Sequence, residues 1–356
     1  MMKGKSFLVG LLILTFGVPS MVWGVTELKF CNYFPAPSRQ SKIGEEFIKD
    51  LEARSNGQLK IRYFPAGTLL TAPKMYDGVV EGIADIGFSN IGYTFGRFRM
   101  TEALDLPLGF PNAWVANHVA NDFLREFKPK EWDKVHVLSM HTSPVNVVLS
   151  ATKPVYKMED LKGMTLRGLG FIAEVVSALG ATPRPIPTPE AYEAIQKRVI
   201  DGLMIPMETM RAFRYAEVAK YVTECWPIGQ VYTFYLIMNK DTWNKLPPAV
   251  QKVFNEYPFE EKFAAMWNEI DIDGKKYGAE KGLKFIELPP DEITKWKKAV
   301  EPVIDKYVKS MVAAGYQEKQ TRELINYARM RIEYWTKKQK EMGVKSSTGP
   351  AEVRVQ

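Results

Sequence analysis

The chain has 356 residues, of which 46% are hydrophobic and 25% are charged. These values exclude a disordered or fibrous protein, and the length predicts two domains rather than one. The formal charge is +7, but the basic residues are interleaved with acidic ones and no nucleic-acid-binding motif accompanies them. We therefore expect no nucleic-acid partner.

The first 24 residues have the composition of a cleaved export signal. Lys3 and Lys5 precede an apolar run over residues 7–18, and small residues suited to a signal peptidase stand just before Val25. At about a dozen residues, the run is shorter than the roughly 20 that span a bilayer, which disfavours the alternative of an uncleaved membrane anchor. We expect cleavage near Val25 and a periplasmic location.

The first part of the exported chain alternates short apolar segments with amphipathic ones. This alternation is typical of parallel strands that are joined by helices. It predicts strand 27–32, helix 41–54, strand 59–64, helix 72–81 and strand 84–89. A helix over 113–127 and a strand over 135–140 are predicted to follow them.

The same order of strands and helices recurs later in the chain. Apolar segments at 164–166, 183–186 and 200–205 are separated by two helix-like runs. In open parallel sheets, ligands bind at the carboxyl ends of the strands. Arg167 stands at one of these ends and is therefore a candidate for ligand binding.

Two further apolar segments predict that the chain passes twice between two domains. A strand over 145–150 leaves the first domain and a strand over 232–239 returns to it, so we expect a cleft that closes by hinge bending. The predicted division is 25–147 and 232–262 for domain I, 148–231 and 263–342 for domain II, and 343–356 for a flexible tail. Long helices are predicted over 249–281, 290–314 and 318–342.

The sequence offers little support for catalysis or for a metal site. It contains no G-x-S-x-G, G-x-x-x-x-G-K or H-E-x-x-H motif, and it predicts no cofactor. His141 follows a predicted strand, where a general base could lie, but no paired nucleophile is evident. Cys31 and Cys225 are expected to be buried free thiols, with a disulfide left open because export permits one.

A binding site for an organic acid has more support. Arginine presents a planar fork that matches a carboxylate, and Arg167 is placed to use it in the cleft. The alternative is a surface arginine that pairs with a nearby acid such as Glu174. Aromatic residues near the predicted loops could form apolar walls or belong to the core. They are Tyr33, Phe34, Tyr93, Phe95 and Phe234.

Several ordered motifs carry a resemblance to a known family. They are Phe64-Pro-Ala-Gly-Thr-Leu, Gly82-Ile-Ala-Asp-Ile-Gly-Phe-Ser, Asp160-Leu-Lys-Gly-Met-Thr-Leu-Arg, Leu179-Gly-Ala-Thr-Pro, Val199-Ile-Asp-Gly and Met238-Asn-Lys-Asp-Thr-Trp. Together they resemble the solute-binding proteins of tripartite ATP-independent periplasmic (TRAP) transporters, of the dicarboxylate-binding type. The likeness runs from about Leu28 to Asn255 and more loosely to the end.

The resemblance implies a type II periplasmic binding protein with two α/β domains, hinge strands and long C-terminal helices. It implies binding rather than catalysis, and delivery of a small organic acid to a membrane permease driven by an ion gradient. An exported ligand-sensing protein for the same acids is the alternative, followed by an exported enzyme that uses His141 or Glu208. A monomer and a homodimer both remain open.

The resemblance also assigns roles to residues of the site. The family's carboxylate-binding arginine falls on Arg167, and its pocket positions fall on Phe34, Ser89, Asn146 and Thr188, with Tyr93 as a further wall residue. One departure concerns the family's Gln-Glu-Asn-Pro, which is Leu203-Met-Ile-Pro here, so that Ile205 replaces a hydrogen-bonding asparagine. Met207 and Glu208 are expected to line the site instead, which favours an apolar monocarboxylate.

Overall fold

The computed structural model describes residues 24–355, so the predicted export signal lies almost wholly outside the described residues. The fold contains two β-sheets covered by helices. The strands are β1 (Thr26–Asn32), β2 (Leu59–Phe64), β3 (Ile86–Asn90), β4 (Val135–Thr142), β5 (Val147–Ser150), β6 (Thr165–Arg167), β7 (Thr182–Arg184), β8 (Gly202–Ile205), β9 (Tyr221–Glu224), β10 (Thr233–Asn239) and β11 (Lys284–Glu287).

The helices cover the faces of both sheets and form most of the carboxy-terminal part of the chain. They are α1 (Arg39–Arg54), α2 (Met75–Val80), α3 (Ala113–Phe127), α4 (Gly170–Ala178), α5 (Ala191–Gln196), α6 (Thr209–Ala212), α7 (Lys240–Lys245), α8 (Pro248–Asn255), α9 (Phe259–Glu280), α10 (Pro290–Ala313) and α11 (Glu318–Met342). Within residues 24–355, no helix combines the length and apolarity needed to cross a membrane.

The first sheet has the strand order β2-β1-β3-β10-β4. β1 pairs in parallel with both β2 and β3, which confirms the predicted alternation of strands and helices. The returning strand, β10, lies antiparallel between β3 and β4. Its insertion between these two strands ties the late part of the chain to the early part.

The second sheet has the strand order β11-β9-β5-β8-β6-β7. β6 is parallel to β7 and to β8, as predicted. The crossing strand, β5, is antiparallel to β8 and β9, which makes the sheet mixed. The sequence analysis did not predict β9 and β11.

Two backbone crossings join the sheets and lie side by side. Ser143 N donates to Tyr232 O, and Asn146 N donates to Gln230 O, both over 2.9 Å. The two predicted crossings are thus present and are held together by main-chain hydrogen bonds. A pair of extended segments of this kind can bend while the sheets remain intact.

The carboxy-terminal helices do not follow the predicted boundary between residues 262 and 263. The predicted helix over 249–281 is two helices, α8 and α9, because Pro258 interrupts it. The boundary falls inside α9, which packs on α1 and α3 and also on α6, and α11 packs on α3. We propose that each sheet defines one domain, and that the carboxy-terminal helices span both.

The tail after Gly343 is packed, so the prediction of a flexible tail was wrong. Ser346 and Thr348 are buried, and Thr348 Oγ1 donates to Pro111 O over 2.8 Å. Ser347 Oγ donates to the Asp271 carboxylate. The serine and threonine residues that indicated a loop donate hydrogen bonds to groups on α9 and just before α3.

Both cysteines are free and buried, as the sequence analysis expected. Burial raises the pKa of the Cys31 thiol and of the Cys225 thiol to about 12 in each case. Both groups are therefore neutral thiols at physiological pH. They behave as small apolar side chains of the core.

A close approach of α9 to the segment after β8 predicts one stability change. A Cβ atom at Gly274 would lie 2.6 Å from both Met207 O and Glu208 Cα, which are backbone atoms. We expect Gly274→Ala to lower the free energy of unfolding by about 1–3 kcal/mol in urea titrations, as for other overpacked sites. Gly278→Ala is the control, because its Cβ would meet the flexible end of Met210 instead; equal losses in the two variants would contradict the prediction.

A buried acid beside the returning strand predicts a pH dependence of stability. Asp105 Oδ1 accepts a hydrogen bond from Thr233 N over 2.8 Å, and burial raises the pKa of Asp105 to about 8. Between pH 4 and 8 the unfolded chain has lost this proton while the folded protein keeps it, so this group lowers stability as the pH rises.

We expect Asp105→Asn to be more stable than the wild type at pH 7.5, with a difference that shrinks towards pH 4 by up to about 1.4 kcal/mol per pH unit. Urea titrations at several pH values measure this difference. Asp122→Asn is the opposite control, because the Trp335 indole and two arginines hold the pKa of Asp122 low despite its burial. Parallel pH curves for the wild type and Asp105→Asn would refute the prediction.

Candidate functional site

A small cavity of about 20 Å³ lies between the two sheets. The carboxyl ends of β1, β3, β6 and β8 meet there, together with the two crossings. Its lining residues are Tyr33, Phe34, Asn90, Ser143, Arg167, Thr188, Ile205, Pro206, Glu208, Thr209, Phe213, Tyr232 and Phe234. The position agrees with the general rule for parallel sheets, in which loops at the carboxyl ends of strands hold the ligand.

Arg167 is the last residue of β6, and only 1% of it is exposed. Its Nε donates to Ile186 O over 2.9 Å, Nη1 donates to Tyr232 Oη over 2.8 Å, and Nη2 donates to Thr188 Oγ1 over 2.8 Å. Glu174 forms an ion pair with Lys306 instead. The alternative of a surface arginine paired with Glu174 is therefore wrong.

Further hydrogen bonds fix the groups that hold Arg167. Tyr93 Oη donates to Thr188 Oγ1 over 3.0 Å and accepts from Thr188 N over 3.2 Å. Tyr215 Oη donates to Thr188 O over 2.5 Å. Thr188 is thus held through three of its atoms, and in this closed arrangement its hydroxyl group helps to fix the orientation of the guanidinium plane.

The guanidinium of Arg167 is a buried charge that lacks an acidic partner. Within residues 24–355, no carboxylate lies within ion-pair distance of it. Burial tends to lower its pKa, but the surrounding phenol groups, led by Tyr232, outweigh this effect and the pKa lies above its ordinary value. A buried charge without a counter-ion is costly, so the site is built to receive an anion.

Glu208 provides a second polar group in the same cavity. Its Oε2 accepts a hydrogen bond from Gln40 Nε2 over 2.7 Å. Burial raises the pKa of Glu208 to about 8, the Gln40 bond lowers it, and Asp271 raises it further. The carboxyl group is therefore mainly protonated at neutral pH and adds no net charge to the cavity.

Aromatic rings form the apolar walls of the cavity. Tyr33 and Phe34 are stacked with ring centroids 4.4 Å apart. Phe34 lies 6.0 Å from Phe213 and 5.9 Å from Phe234 between centroids. Flat walls with a few polar anchors are typical of sites for small molecules, and these walls suit a flat or compact apolar ligand body.

A larger groove of about 760 Å³ adjoins the cavity and opens to solvent. We call it the outer groove; its lining residues are Pro35, Pro37, Ser38, Arg39, Gln40, Lys42, Pro189, Glu208, Arg211, Ala212, Phe213, Arg214, Glu269, Ile270 and Asp273. Glu208 and Phe213 line both spaces. These two side chains therefore stand between the cavity and the solvent.

The structure brings four of the eight predicted site residues to the cavity wall: Phe34, Arg167, Thr188 and Glu208. Tyr93 lies one layer behind, where its hydroxyl contacts Thr188. The other three do not line the cavity and are corrected here. They are Ser89, Asn146 and Met207.

Ser89 was misplaced by one residue. Side chains alternate between the two faces of a strand, and on β3 the alternation turns Ser89 away from the cavity, where its Oγ donates to Ala72 O over 3.2 Å. Asn90 faces the cavity instead. Its Nδ2 donates to Tyr33 Oη over 3.3 Å, and its Oδ1 is buried without a hydrogen-bond partner, so Asn90 has an acceptor to offer a ligand.

Asn146 and Met207 are buried away from the lining. Asn146 lies on the first crossing, with both polar side-chain atoms buried and unpartnered; the crossing residue at the cavity is Ser143. Met207 is fully buried, under the close contact of its backbone with Gly274 on α9. The sequence does not show which side chains of these two segments face the cavity, so the lining residues could not be identified from it.

Some of the aromatic candidates line the cavity and others do not, and two further aromatic lining residues were not among the candidates. Tyr33 and Phe234 line the cavity, whereas Phe95 is half exposed and packs on Phe171. The sequence analysis did not select Phe213 or Tyr232. To assign Phe213 to the cavity, the path of the chain after β8 would have to be known. To assign Tyr232, the path of the second crossing would have to be known.

His141 lies in the hydrophobic core and not at the cavity. Its ring is stacked on Phe263 at 3.8 Å between centroids, and its Nδ1 accepts from Trp267 Nε1 over 2.9 Å. Burial holds the pKa of His141 well below its ordinary value. The described part of the chain also contains no cluster of three His, Cys, Asp or Glu residues suited to a metal ion.

Known proteins were compared with the chain at three levels. Residues 31–310 match the DctP family, described as bacterial extracellular solute-binding protein, family 7. A solute-binding protein of Albidiferax ferrireducens is 26% identical over 286 residues, which cover 76% of this chain and 83% of that protein. This relative and the family match agree in placing the chain among solute-binding proteins.

Solved structures give the same result. A TRAP solute-binding protein of a marine metagenome, specific for aromatic acid ligands and crystallised with 3-hydroxybenzoate, is 25% identical. Its TM-score is 0.83, over 88% of this chain and 99% of that one. A TRAP solute-binding protein of Rhodoferax ferrireducens with copurified benzoate shares the fold, with a TM-score of 0.83 over 88% and 99% of the two chains at 24% identity. Because the family match spans most of its length, the chain belongs to bacterial extracellular solute-binding protein family 7 and is a solute-binding protein of the TRAP type.

Proposed function

We propose that this protein captures a small organic monocarboxylate with an apolar, ring-sized body between its two sheets, where the walls of the present cavity, about 20 Å³ and wide enough for about one water molecule, move apart to admit it. The observation that carries the proposal is the buried guanidinium of Arg167, which has three neutral hydrogen-bond acceptors and no acidic partner. A ligand carboxylate would supply the missing negative charge and could accept two parallel hydrogen bonds from the guanidinium.

The number of charges in the cavity supports a ligand with one negative charge. Arg167 is the single cationic side chain among the lining residues, and Glu208 is the single acidic one. Since Glu208 is mainly neutral at pH 7, a monoanion would leave the closed site without net charge. A dicarboxylate would bring a second charge that no lining cation balances, and a buried unpaired charge costs several kcal/mol in order of magnitude.

The walls support an apolar ligand body. Ile205, at the position where the family resemblance implies an asparagine in many members, is apolar, and five aromatic side chains line the cavity with it. Burial of an apolar body contributes roughly 25 cal/mol for each Å² removed from water. Neighbours of similar fold hold benzoate or 3-hydroxybenzoate, which are ligands of this kind.

Capture is proposed to occur outside the cytoplasm. The predicted export signal ends just before Val25, and β1 begins at Thr26. The solute would then pass to the membrane permease of a TRAP transporter as the two sheets separate at the crossings.

Binding is favoured over catalysis by the composition of the cavity. The candidate base His141 lies in the core, and the remaining candidate, Glu208, has no nucleophile of lowered pKa beside it among the lining residues. Among the lining residues, Ser143 and Thr209 both donate their hydroxyl groups to backbone carbonyls, of Pro144 and Pro206 respectively.

Replacing Arg167 tests the proposal directly. We expect the wild type to bind benzoate more tightly than succinate in isothermal titration calorimetry, and Arg167→Met to lose about 2–5 kcal/mol of benzoate binding, as for truncated charge pairs. Arg167→Lys keeps the charge without the planar fork, so an intermediate loss is expected.

The matched control is Arg184→Met. Arg184 is the register partner of Arg167 on the neighbouring strand β7, but it is exposed, and its loss should leave binding unchanged. Circular dichroism establishes that each variant is folded. Wild-type protein that binds no carboxylate of the panel, or folded Arg167→Met that binds benzoate with wild-type affinity, would rule out the proposal.

A further inference from the structure

We propose that Glu208 selects the ligand at the end opposite its carboxylate, by a hydrogen bond from its carboxyl group to a ligand hydroxyl. The preferred ligand is then a hydroxylated monocarboxylate with a flat apolar body. This inference rests on the proposed function and adds a specificity-determining residue to it. Three observations carry it: the position of Glu208, its hydrogen bonds and its electrostatic surroundings.

Glu208 lies at the far end of the cavity from Arg167 along the path to solvent. Arg167 lines the cavity but not the outer groove, whereas Glu208 lines both. A ligand whose carboxylate contacts Arg167 therefore extends past the aromatic walls towards Glu208. Of the two residues that line both spaces, Phe213 and Glu208, Glu208 is the polar one.

The hydrogen bond from Gln40 fixes how Glu208 can act. Gln40 Nε2 donates to Oε2, so the proton of the neutral carboxyl belongs on the other oxygen, Oε1. An O–H group at Oε1 can donate to a ligand hydroxyl, and the same hydroxyl can rotate to donate back to a carboxyl oxygen. An apolar ligand end leaves this buried polar group without a partner, which is the kind of loss that gives strong discrimination.

Within residues 24–355, no lysine or arginine forms an ion pair with Glu208, and the acidic Asp271 is the charged group that acts on its pKa. Asp271 on α9 accepts a hydrogen bond from Glu208 N over 3.2 Å and another from the Ser347 hydroxyl group. Asp271 also lies near Lys275, but Lys275 forms an ion pair with Glu224. The arginines of the outer groove are paired elsewhere: Arg39 with Glu46, Arg211 with Asp273 and Arg214 with Glu217. Lys42 is exposed on the first turn of α1, and Tyr215 lies behind the site.

These surroundings agree with the raised pKa of Glu208, about 8, which burial causes. They also predict a difference between ligand types. A hydroxyl satisfies the neutral carboxyl without bringing a charge, whereas a second ligand carboxylate would lie beside two acidic groups, Glu208 and Asp271. Glu208 thus favours a neutral polar group at this end of the ligand.

The Gln40–Glu208 bond also connects the start of α1 with the segment after β8, and so joins the two sheet units. Replacing Glu208 can therefore change closure as well as specificity. For this reason the informative quantity is the ratio of affinities for two ligands that differ by one hydroxyl. A purely structural effect lowers both affinities together and leaves the ratio unchanged.

The experiment measures dissociation constants for benzoate, 3-hydroxybenzoate and 4-hydroxybenzoate by calorimetry, with folded wild type, Glu208→Gln and Glu208→Leu. We expect the wild type to bind at least one hydroxybenzoate tenfold or more tightly than benzoate. Glu208→Gln, which keeps a neutral donor and acceptor, should retain that preference. Glu208→Leu should bring the ratio close to one.

A pH series adds a second readout. Benzoate affinity of the wild type should fall above pH 8, where ionised Glu208 places a second negative charge beside the ligand, and that of Glu208→Gln should remain flat. The inference is overturned if Glu208→Leu keeps the preference for a hydroxylated ligand, or if the wild type shows no such preference. In either case, benzoate binding that depends on Arg167 would still support the proposed function. Wild-type protein that binds none of the three acids overturns the proposed function instead.

Discussion

The charge of Arg167 is the constraint on which the rest of the site depends. A guanidinium buried to 1% exposure is tolerable only if every donor has an acceptor, and a backbone carbonyl, a threonine and a tyrosine provide three of them. Two of these acceptors, Ile186 O and Thr188 Oγ1, lie in the segment after β7, and the third, Tyr232 Oη, ends the second crossing. The fold thus provides acceptors for three of the five N–H donors of the guanidinium and no counter-charge, and the two remaining donors are those that we propose a ligand carboxylate accepts from.

The same arrangement couples binding to closure. Two side-chain hydrogen bonds connect the sheet units across the cavity, Tyr93 with Thr188 at the inner end and Gln40 with Glu208 at the outer end. Both act on residues that face the ligand or hold Arg167. Separation of the units at the crossings would break both bonds and loosen the support of Arg167, so a ligand that neutralises the guanidinium favours the closed arrangement.

Periodicity and strand–helix alternation were sufficient to predict the parallel strands β1, β2 and β3 of one sheet and β6, β7 and β8 of the other, the two crossings and the place of Arg167 at a strand end. Side-chain direction at a strand end is harder to assign, because a shift of one residue reverses the face: the family resemblance placed Ser89 in the pocket, whereas Asn90 lines the cavity. The resemblance to solute-binding proteins supplied Thr188, which composition alone does not single out. The packed tail was missed because the partners of Ser347 and Thr348, on α9 and before α3, are distant in sequence.

The segment after β8 explains how one fold can serve different acids. Its position is fixed by the backbone contact with α9 at Gly274, so side chains at the cavity can differ while the loop keeps its course. Here Ile205 removes a hydrogen bond from the middle of the cavity, and Glu208 places a neutral one at its outer end. Since Arg167 contributes the charge recognition separately, these two residues change the shape and polarity of the ligand that fits without altering its carboxylate anchor.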